Sequence, residues 1–542
     1  MSIESPAKKD AATVSENSGG VGTDKKVTSL PLRMRARVLS FYRQSPGIVT
    51  AGLIAVLFAA AYLLAPPMGR DLSAQIAHAQ LAQQHWPVVL DLRWYGGFDP
   101  LGYSVLSPLV MALLGVRVTT ALAYVACVVL FAALLKRTAV ARPVAGAITG
   151  AVCLAGNLVV TRTTFELGLA VALGALLVLA SGRLKITAAL AVLAALCSPV
   201  AGLFLGVAGG ALFLIRRRRA GMTLAVSGLV PTVAIGVAFG NGGYQTFGTK
   251  QAVLALLVCV VVAGLCWRSP VVRWGALLSA GLVVGAYLIP TPVGTTATRL
   301  PELFGAPMIV AVAAVPLGAV IAAAATVVLL LPPVSLTEIR ERGDPALSSE
   351  FYAPLLDQLA SHGVTGPIEV VPTQRRGEAA VVAPVVAIAK GWSRQLDTDH
   401  NLVFYDGTLN ADTYRKWLDD NAISYVALSN GPYDWAADDE AALVHGDLPY
   451  LRPVWSDRTW TLYAVTNPQP VISSPGRVIA RDPVSLTLSL PEPGEYSVRV
   501  HWSRYLSVSN GCVKPAPDGW SVVVVQDPGT VKIKGSLAPH HC

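Results

Sequence analysis

Carboxylates are scarce across the apolar two-thirds of this 542-residue chain, so the few present stand out. Asp71, Asp91, Asp99, Glu166 and Glu302 are the candidates for acid–base work, and Glu166 is the only carboxylate between Asp99 and Glu302. Asp71 follows an apolar segment closely, in Met68-Gly69-Arg70-Asp71-Leu72, where a lone aspartate can serve as base toward a hydroxyl. Two arginines fall at the same level: Arg162 in Thr161-Arg162-Thr163-Thr164-Phe165-Glu166, and Arg299 after Thr295-Thr296-Ala297-Thr298. Guanidinium groups there can hold phosphate. The run Asp91-Leu92-Arg93-Trp94-Tyr95-Gly96-Gly97-Phe98-Asp99-Pro100 joins carboxylates, an arginine and aromatics, a set able to cover sugar faces and accept from sugar hydroxyls. Each feature also has a plainer reading. Trp86, Trp94 and Tyr95 fit an aromatic belt, Arg162 fits an i,i+4 pair with Glu166, and Arg299 fits a lipid headgroup contact. Residues 1–542 contain no Walker loop, no Rossmann fingerprint at a strand–helix junction and no metal-ligand spacing. His540 and His541 beside Cys542 stand at the chain end without a second cluster.

The elements that must position these residues are membrane helices. The composition is 53% hydrophobic and only 14% charged, where a soluble protein carries about a quarter charged residues. The apolar excess lies between Ile48 and Pro333, while Ser335–Cys542 has soluble composition. The net charge of +9 does not indicate nucleic acid, because its Lys and Arg cluster beside apolar segments, as orientation in a bilayer requires. Residues 1–45 read as a disordered cytoplasmic N-terminus, and Ile48–Pro66 as a retained first helix, since no small-residue cleavage site follows it. A long external loop covers residues 67–103, with an amphipathic stretch from Ala74 to Trp86, and Val105–Gly115 reads as a juxtamembrane helix. Spans follow near 118–135, 143–160, 164–181, 222–240, 252–267 and 274–290, with a short hairpin at 186–197 and 199–215 broken by Ser198-Pro199. The last block, Leu303–Leu331, reads either as one tilted helix, which would put the C-terminal part in the cytoplasm, or as two short helices turning at Pro316, the reading that the cysteines of the polar part favour. The expected membrane part is residues 46–333, with about 11 transmembrane helices.

Dividing the last block at Pro316 puts the C-terminal part outside. Cys512 and Cys542, the only cysteines beyond the membrane part, suit a disulfide in an oxidising compartment. Residues 334–466 alternate strands (Ile368–Val371, Leu402–Tyr405, Tyr425–Leu428, Trp460–Val465) with helices such as Thr413–Asn421, which predicts an α/β layer. Residues 467–542 alternate in period two, as in Ser485–Leu490 and Tyr496–Val500, which predicts a β-sandwich.

On these residues the chain resembles a GT-C superfamily glycosyltransferase of the actinobacterial envelope type, which uses polyprenyl-phosphate sugar donors. The likeness covers most of the chain: a first helix, a long external loop with an early acidic residue (Asp71), a multi-span bundle with a short hairpin, and a C-terminal domain ending in a β-sandwich. It implies an inverting sugar transfer at the outer face of the plasma membrane, with Asp71 as base, and Arg299 and Arg162 on the donor phosphate. Asp91, Arg93, Trp94, Tyr95, Asp99, Glu166 and Glu302 would contact sugar or acceptor. The implied partners are a polyprenyl-phosphate arabinofuranose or mannose, an envelope glycan or glycolipid acceptor, and membrane lipids. Many relatives carry two acidic residues in the first loop; here Arg70 precedes Asp71, which leaves a divalent metal (Mg or Mn) as an open cofactor. Two other classes compete: a transporter or flippase, and a non-catalytic envelope scaffold. A transporter places ionisable groups near the bilayer midplane and shows two related halves. Neither feature is visible here.

Overall fold

The computed structural model describes residues 45–542, so the expectations for residues 1–44 lie outside the described residues. The described part begins with helix α1 (Pro46–Leu64), amphipathic α2 (Leu72–His85) and short α3 (Ser107–Leu114). A bundle follows: α4 (Val116–Arg137), α5 (Pro143–Val160), α6 (Thr163–Leu179), α7 (Leu184–Cys197), α8 (Pro199–Leu214), α9 (Arg218–Phe239), α10 (Thr249–Leu265), α11 (Pro270–Leu288), α12 (Arg299–Val312) and α13 (Leu317–Leu330). Among the described residues five helices are long and apolar enough to cross a membrane: α1, α4, α5, α9 and α11. Five shorter apolar helices, α6, α7, α8, α10 and α13, complete the apolar set.

The boundaries follow local chemistry. Pro143, Pro199 and Pro270 open α5, α8 and α11 at the first helical position, where a missing N–H costs nothing. Ser198 separates α7 from α8 in extended conformation, and Pro316 caps α13 after the break that ends α12. Helices α8 and α9 pack through small residues. A Cβ on Gly202 would sit 2.8 Å from the Gly228 carbonyl oxygen, so the two backbones approach closely at positions without side chains.

The polar C-terminal part contains two strand assemblies. Strands β1 (Glu369–Val370), β2 (Tyr425–Ser429), β3 (Leu451–Ser456) and β4 (Trp460–Val465) form a sheet of order β1-β2-β4-β3, parallel only between β1 and β2. Helix Ala411–Asp420 packs there, started by an Asn410 capping box. The strand expected at Leu402–Tyr405 is instead a 3-10 turn, Leu402–Phe404. Its apolar residues cover side chains rather than pair in a sheet: the Phe404 ring lies 3.6 Å from Lys390 Nζ and 4.9 Å from the Trp417 ring.

The remaining strands are β5 (Arg477–Asp482), β6 (Ser485–Leu490), β7 (Gly494–His501), β8 (Leu506–Val508), β9 (Cys512–Pro515), β10 (Trp520–Val525) and β11 (Gly529–Gly535). They form an antiparallel sheet β5-β6-β11-β8 facing a second, β7-β10-β9. Leu486, Leu488 and Leu490 alternate into the core with Val531 and Ile533. Cys512 and Cys542 are joined by a disulfide.

The segment between α1 and α3 locks these parts together. Leu90 and Leu92 enter the sandwich core. Trp94, Tyr95 and Phe98 pack with Tyr352, Ile368 and Trp460 in the core of the α/β part.

Candidate active site

The site is built from the turn that follows α1. Thr161, at the end of α5, is left-handed (φ 61°), and its hydroxyl donates to the Met68 carbonyl over 2.9 Å. Gly69, at φ +103°, passes so near that a Cβ would lie 2.5 Å from Thr161 Oγ1. Two residues on, the Asp71 amide donates to the Val160 carbonyl at 3.2 Å. Asp71 stands at the N-terminus of α2, yet its carboxylate does not cap the helix. Among the described residues it meets no hydrogen-bond or ion-pair partner, although only 8% of the residue is exposed. The carboxylate is therefore available to a ligand.

It faces a cavity of about 1020 Å³. The α5–α6 turn contributes Arg162, and the start of α12 contributes Arg299 and Glu302. Arg162 Nη1 lies 3.7 Å from Glu302 Oε1, and the Arg299 guanidinium sits 5.0 Å over the Phe165 ring. Burial raises the Asp71 carboxyl above its ordinary range, while Arg162, Arg299 and Arg70 pull it back toward ionisation. Tyr103, also on the wall, accepts from Gln75 Nε2 at 2.7 Å, and its hydroxyl is pushed up to about 12, chiefly by burial and then by Asp71. An apolar groove of about 240 Å³ opens one helical turn from Phe165 and Glu302, lined by Leu169, Ala201, Phe204, Leu300, Phe304 and Met308. The cavity and the groove thus share helices α6, α8 and α12.

The C-terminal part closes the opposite wall. Arg70 Nε binds Glu338 Oε1 at 2.7 Å, and Arg375 Nη1 binds the other Glu338 oxygen at 2.5 Å. Ser73 donates to the Arg375 carbonyl, and Trp392 Nε1 to the Arg70 carbonyl at 3.0 Å. Arg394, Gln395, Asp434 and Trp435 complete that wall, and Lys250 enters from the start of α10.

The structure brings Asp71, Arg162, Arg299 and Glu302 to one cavity and leaves the other candidates outside its lining. Asp91 and Arg93 are buried against each other, with Arg93 Nη2 2.8 Å from Asp91 Oδ2 and Arg93 Nη1 donating to the Ala77 carbonyl. Trp94 Nε1 donates to the Ala379 carbonyl and Tyr95 Oη to the Ser393 carbonyl. Asp99 accepts from Ser503 Oγ at 2.8 Å, and desolvation raises its carboxyl to about 6. Trp94, Tyr95 and Asp99 thus fasten the first loop to the C-terminal part, while the Asp91–Arg93 pair ties the loop to α2. Glu166 is also buried outside the cavity, and the Arg162–Glu166 pair gives way to Arg162–Glu302. Residue spacing missed Tyr103, Gln75, Lys250, Trp392, Arg394 and Trp435. Their only sequence signal is a general abundance of aromatic and basic residues.

Solved structures with a loosely similar fold include the mycobacterial arabinofuranosyltransferase AftD (TM-score 0.43, 15% identity), matched over 90% of this chain and 57% of that one. This chain thus spans little more than half the length of AftD. ArnT from Cupriavidus metallidurans matches over 78% of this chain and 99% of its own (TM-score 0.43, 14% identity). The oligosaccharyltransferase of Archaeoglobus fulgidus matches over 79% and 75% (TM-score 0.42, 10% identity). All three are members of the GT-C superfamily. No protein-family model matches the chain, and no curated protein matches it in sequence.

Proposed function

We propose that this chain is an inverting membrane glycosyltransferase that moves a sugar, arabinofuranose or mannose, from a polyprenyl-phosphate donor to a cell-envelope glycan or glycolipid. The observation that carries the reading is an unengaged Asp71 carboxylate in the same cavity as Arg162 and Arg299, beside an apolar groove. The groove suits a polyprenyl chain, and the two guanidiniums suit the phosphate at its head. In this reading helices α1 and α4 to α13 are eleven crossings, and the cavity opens on the extracytoplasmic face of the plasma membrane.

Asp71 takes the proton of the acceptor hydroxyl as its oxygen bonds to the anomeric carbon. The bond from that carbon to the donor phosphate oxygen breaks, and polyprenyl phosphate leaves with the electron pair. Attack from the face opposite the leaving phosphate inverts the centre. The leaving group is a stable anion and needs no strong acid. Arg162 and Arg299 offset its growing charge in a low-dielectric site. Donor binding also neutralises the cations that hold Asp71 down, so the base strengthens once the donor is seated. A divalent ion is poorly suited here: Glu302 is taken by Arg162, Glu338 by Arg70 and Arg375, and one carboxylate among three guanidiniums is a weak cation site.

The test uses full-length protein in nanodiscs, with labelled decaprenyl-phosphate arabinofuranose and mannose and a panel of envelope glycans. Wild type forms a new glycosidic linkage with one donor. Asp71→Asn loses about 10²–10⁴-fold in rate. Full activity in the folded variant, or no linkage from either donor, overturns the reading.

A further inference from the structure

The wall opposite Asp71 carries a feature that sugar transfer from the donor side leaves unused. Trp435 is 64% exposed although it lines the cavity. Its indole is fixed from behind: the Arg394 guanidinium stacks 4.8 Å from its centroid, and the Tyr405 ring meets it edge-on at 6.1 Å. Arg394 in turn is held by both Asp434 oxygens, at 2.7 and 2.8 Å, and by the Tyr405 hydroxyl at 2.8 Å. Asp434 also accepts from the Ala436 amide at 3.0 Å, which sets the turn carrying Trp435. A large apolar ring held rigidly against open space is a surface made for a partner with an apolar face.

The second indole points toward the base. Trp392 Nε1 is bonded to the Arg70 carbonyl, one residue before Asp71, and its ring meets Tyr103 edge-on at 6.4 Å. Gln374 and Gln395 supply amides on the same wall. Two indoles and the Gln374 and Gln395 carboxamides on one cavity wall fit a neutral oligosaccharide, whose C–H faces stack on the rings while its hydroxyls find the amides.

We infer that this wall is the acceptor subsite, with a glycan chain lying along Trp435 and Trp392 so that its terminal hydroxyl reaches Asp71. This rests on the transferase reading above. Trp435→Ala and Trp435→Phe in the full chain test it, with arabinohexaose and mannotriose as acceptors. Binding without donor is read by saturation-transfer NMR, and KM for donor and acceptor by transfer assay. Trp435→Ala should raise the acceptor dissociation constant and KM about tenfold. Trp435→Phe should recover part of that loss, and donor KM should stay unchanged. Oligosaccharide binding lost in Trp435→Ala but with no transfer by wild type upholds the subsite and overturns the transferase reading. Transfer with unchanged acceptor KM in Trp435→Ala overturns the subsite alone. So does failure of wild type to bind either oligosaccharide.

Discussion

The backbone amide of Asp71 donates to the carbonyl of Val160 across 3.2 Å. The candidate base is thus placed by the end of α5, nearly ninety positions away, rather than by its own loop. The contact depends on Gly69, whose φ of +103° and absent side chain let the turn lie on Thr161 and Val160.

Gly69→Ala would put a methyl 2.5 Å from Thr161 Oγ1 and 2.6 Å from the Val160 carbonyl, in a backbone region alanine avoids. The turn must shift, and Asp71 with it. A displacement near 1 Å costs about 10²-fold in rate. The expected result is that loss in kcat, with the helical circular dichroism intact. An unchanged kcat would show that the turn does not set the base.

The acid limb of the pH profile reports Asp71 directly. A base works ionised, so kcat/KM falls as pH drops through its pKa. Burial raises that pKa above the ordinary 3.8, so the limb should lie above 3.8. Arg299 and Arg162 both lower it, so Arg299→Ala should move the limb to still higher pH, and Arg299→Lys should restore it. A limb that stays in place in Arg299→Ala would assign the titration to another group.

Much of this arrangement is legible in the sequence because the bilayer imposes length and composition on each helix. Ser198-Pro199 and Pro316 mark breaks that the structure shows, since proline cannot continue either helix. The strand expected at Leu402–Tyr405 failed because its apolar residues serve Lys390 and Trp417 rather than a sheet, which depends on long-range packing. The first loop misled in the same way. Arg93 and Asp91, two positions apart, read as ligand-facing until their burial against Ala77 is seen. Trp392 and Trp435 carried no local signal, because only the docking of the C-terminal part brings them to the cavity.

Arg162 and Glu302 lie 3.7 Å apart and are both largely shielded from solvent. Arg162→Ala removes a phosphate partner and strands a carboxylate, so rate and stability should both fall, the rate about 10²–10³-fold and stability about 1–3 kcal/mol. Adding Glu302→Gln to that variant should restore the melting temperature and leave the rate low. Recovery of both together would make the pair purely structural.

The Cys512–Cys542 disulfide closes a separation of 30 residues and ties the chain end to β9, where the Cys542 amide also donates to the Val513 carbonyl. Chain entropy predicts that Cys512→Ser costs roughly 3–4 kcal/mol. The melting temperature of the strand-rich part should drop, and reductant should lower wild type equally but leave the variant unchanged. Sensitivity of the variant to reductant would point to another disulfide.

The Arg93–Asp91 pair separates structural from catalytic charge. Both side chains are fully shielded, and Arg93 holds Asp91 with Nε and Nη2 while its Nη1 binds the Ala77 carbonyl. Arg93→Ala leaves an uncompensated carboxylate inside the seam between the first loop and α2, a change that costs about 3–5 kcal/mol. Asp91→Asn in addition removes that stranded charge and should recover a large share of the loss. Neither residue lines the cavity, so acceptor and donor KM of the folded fraction should match wild type. A selective rise in acceptor KM, with stability untouched, would return the pair to the ligand and remove it from the seam.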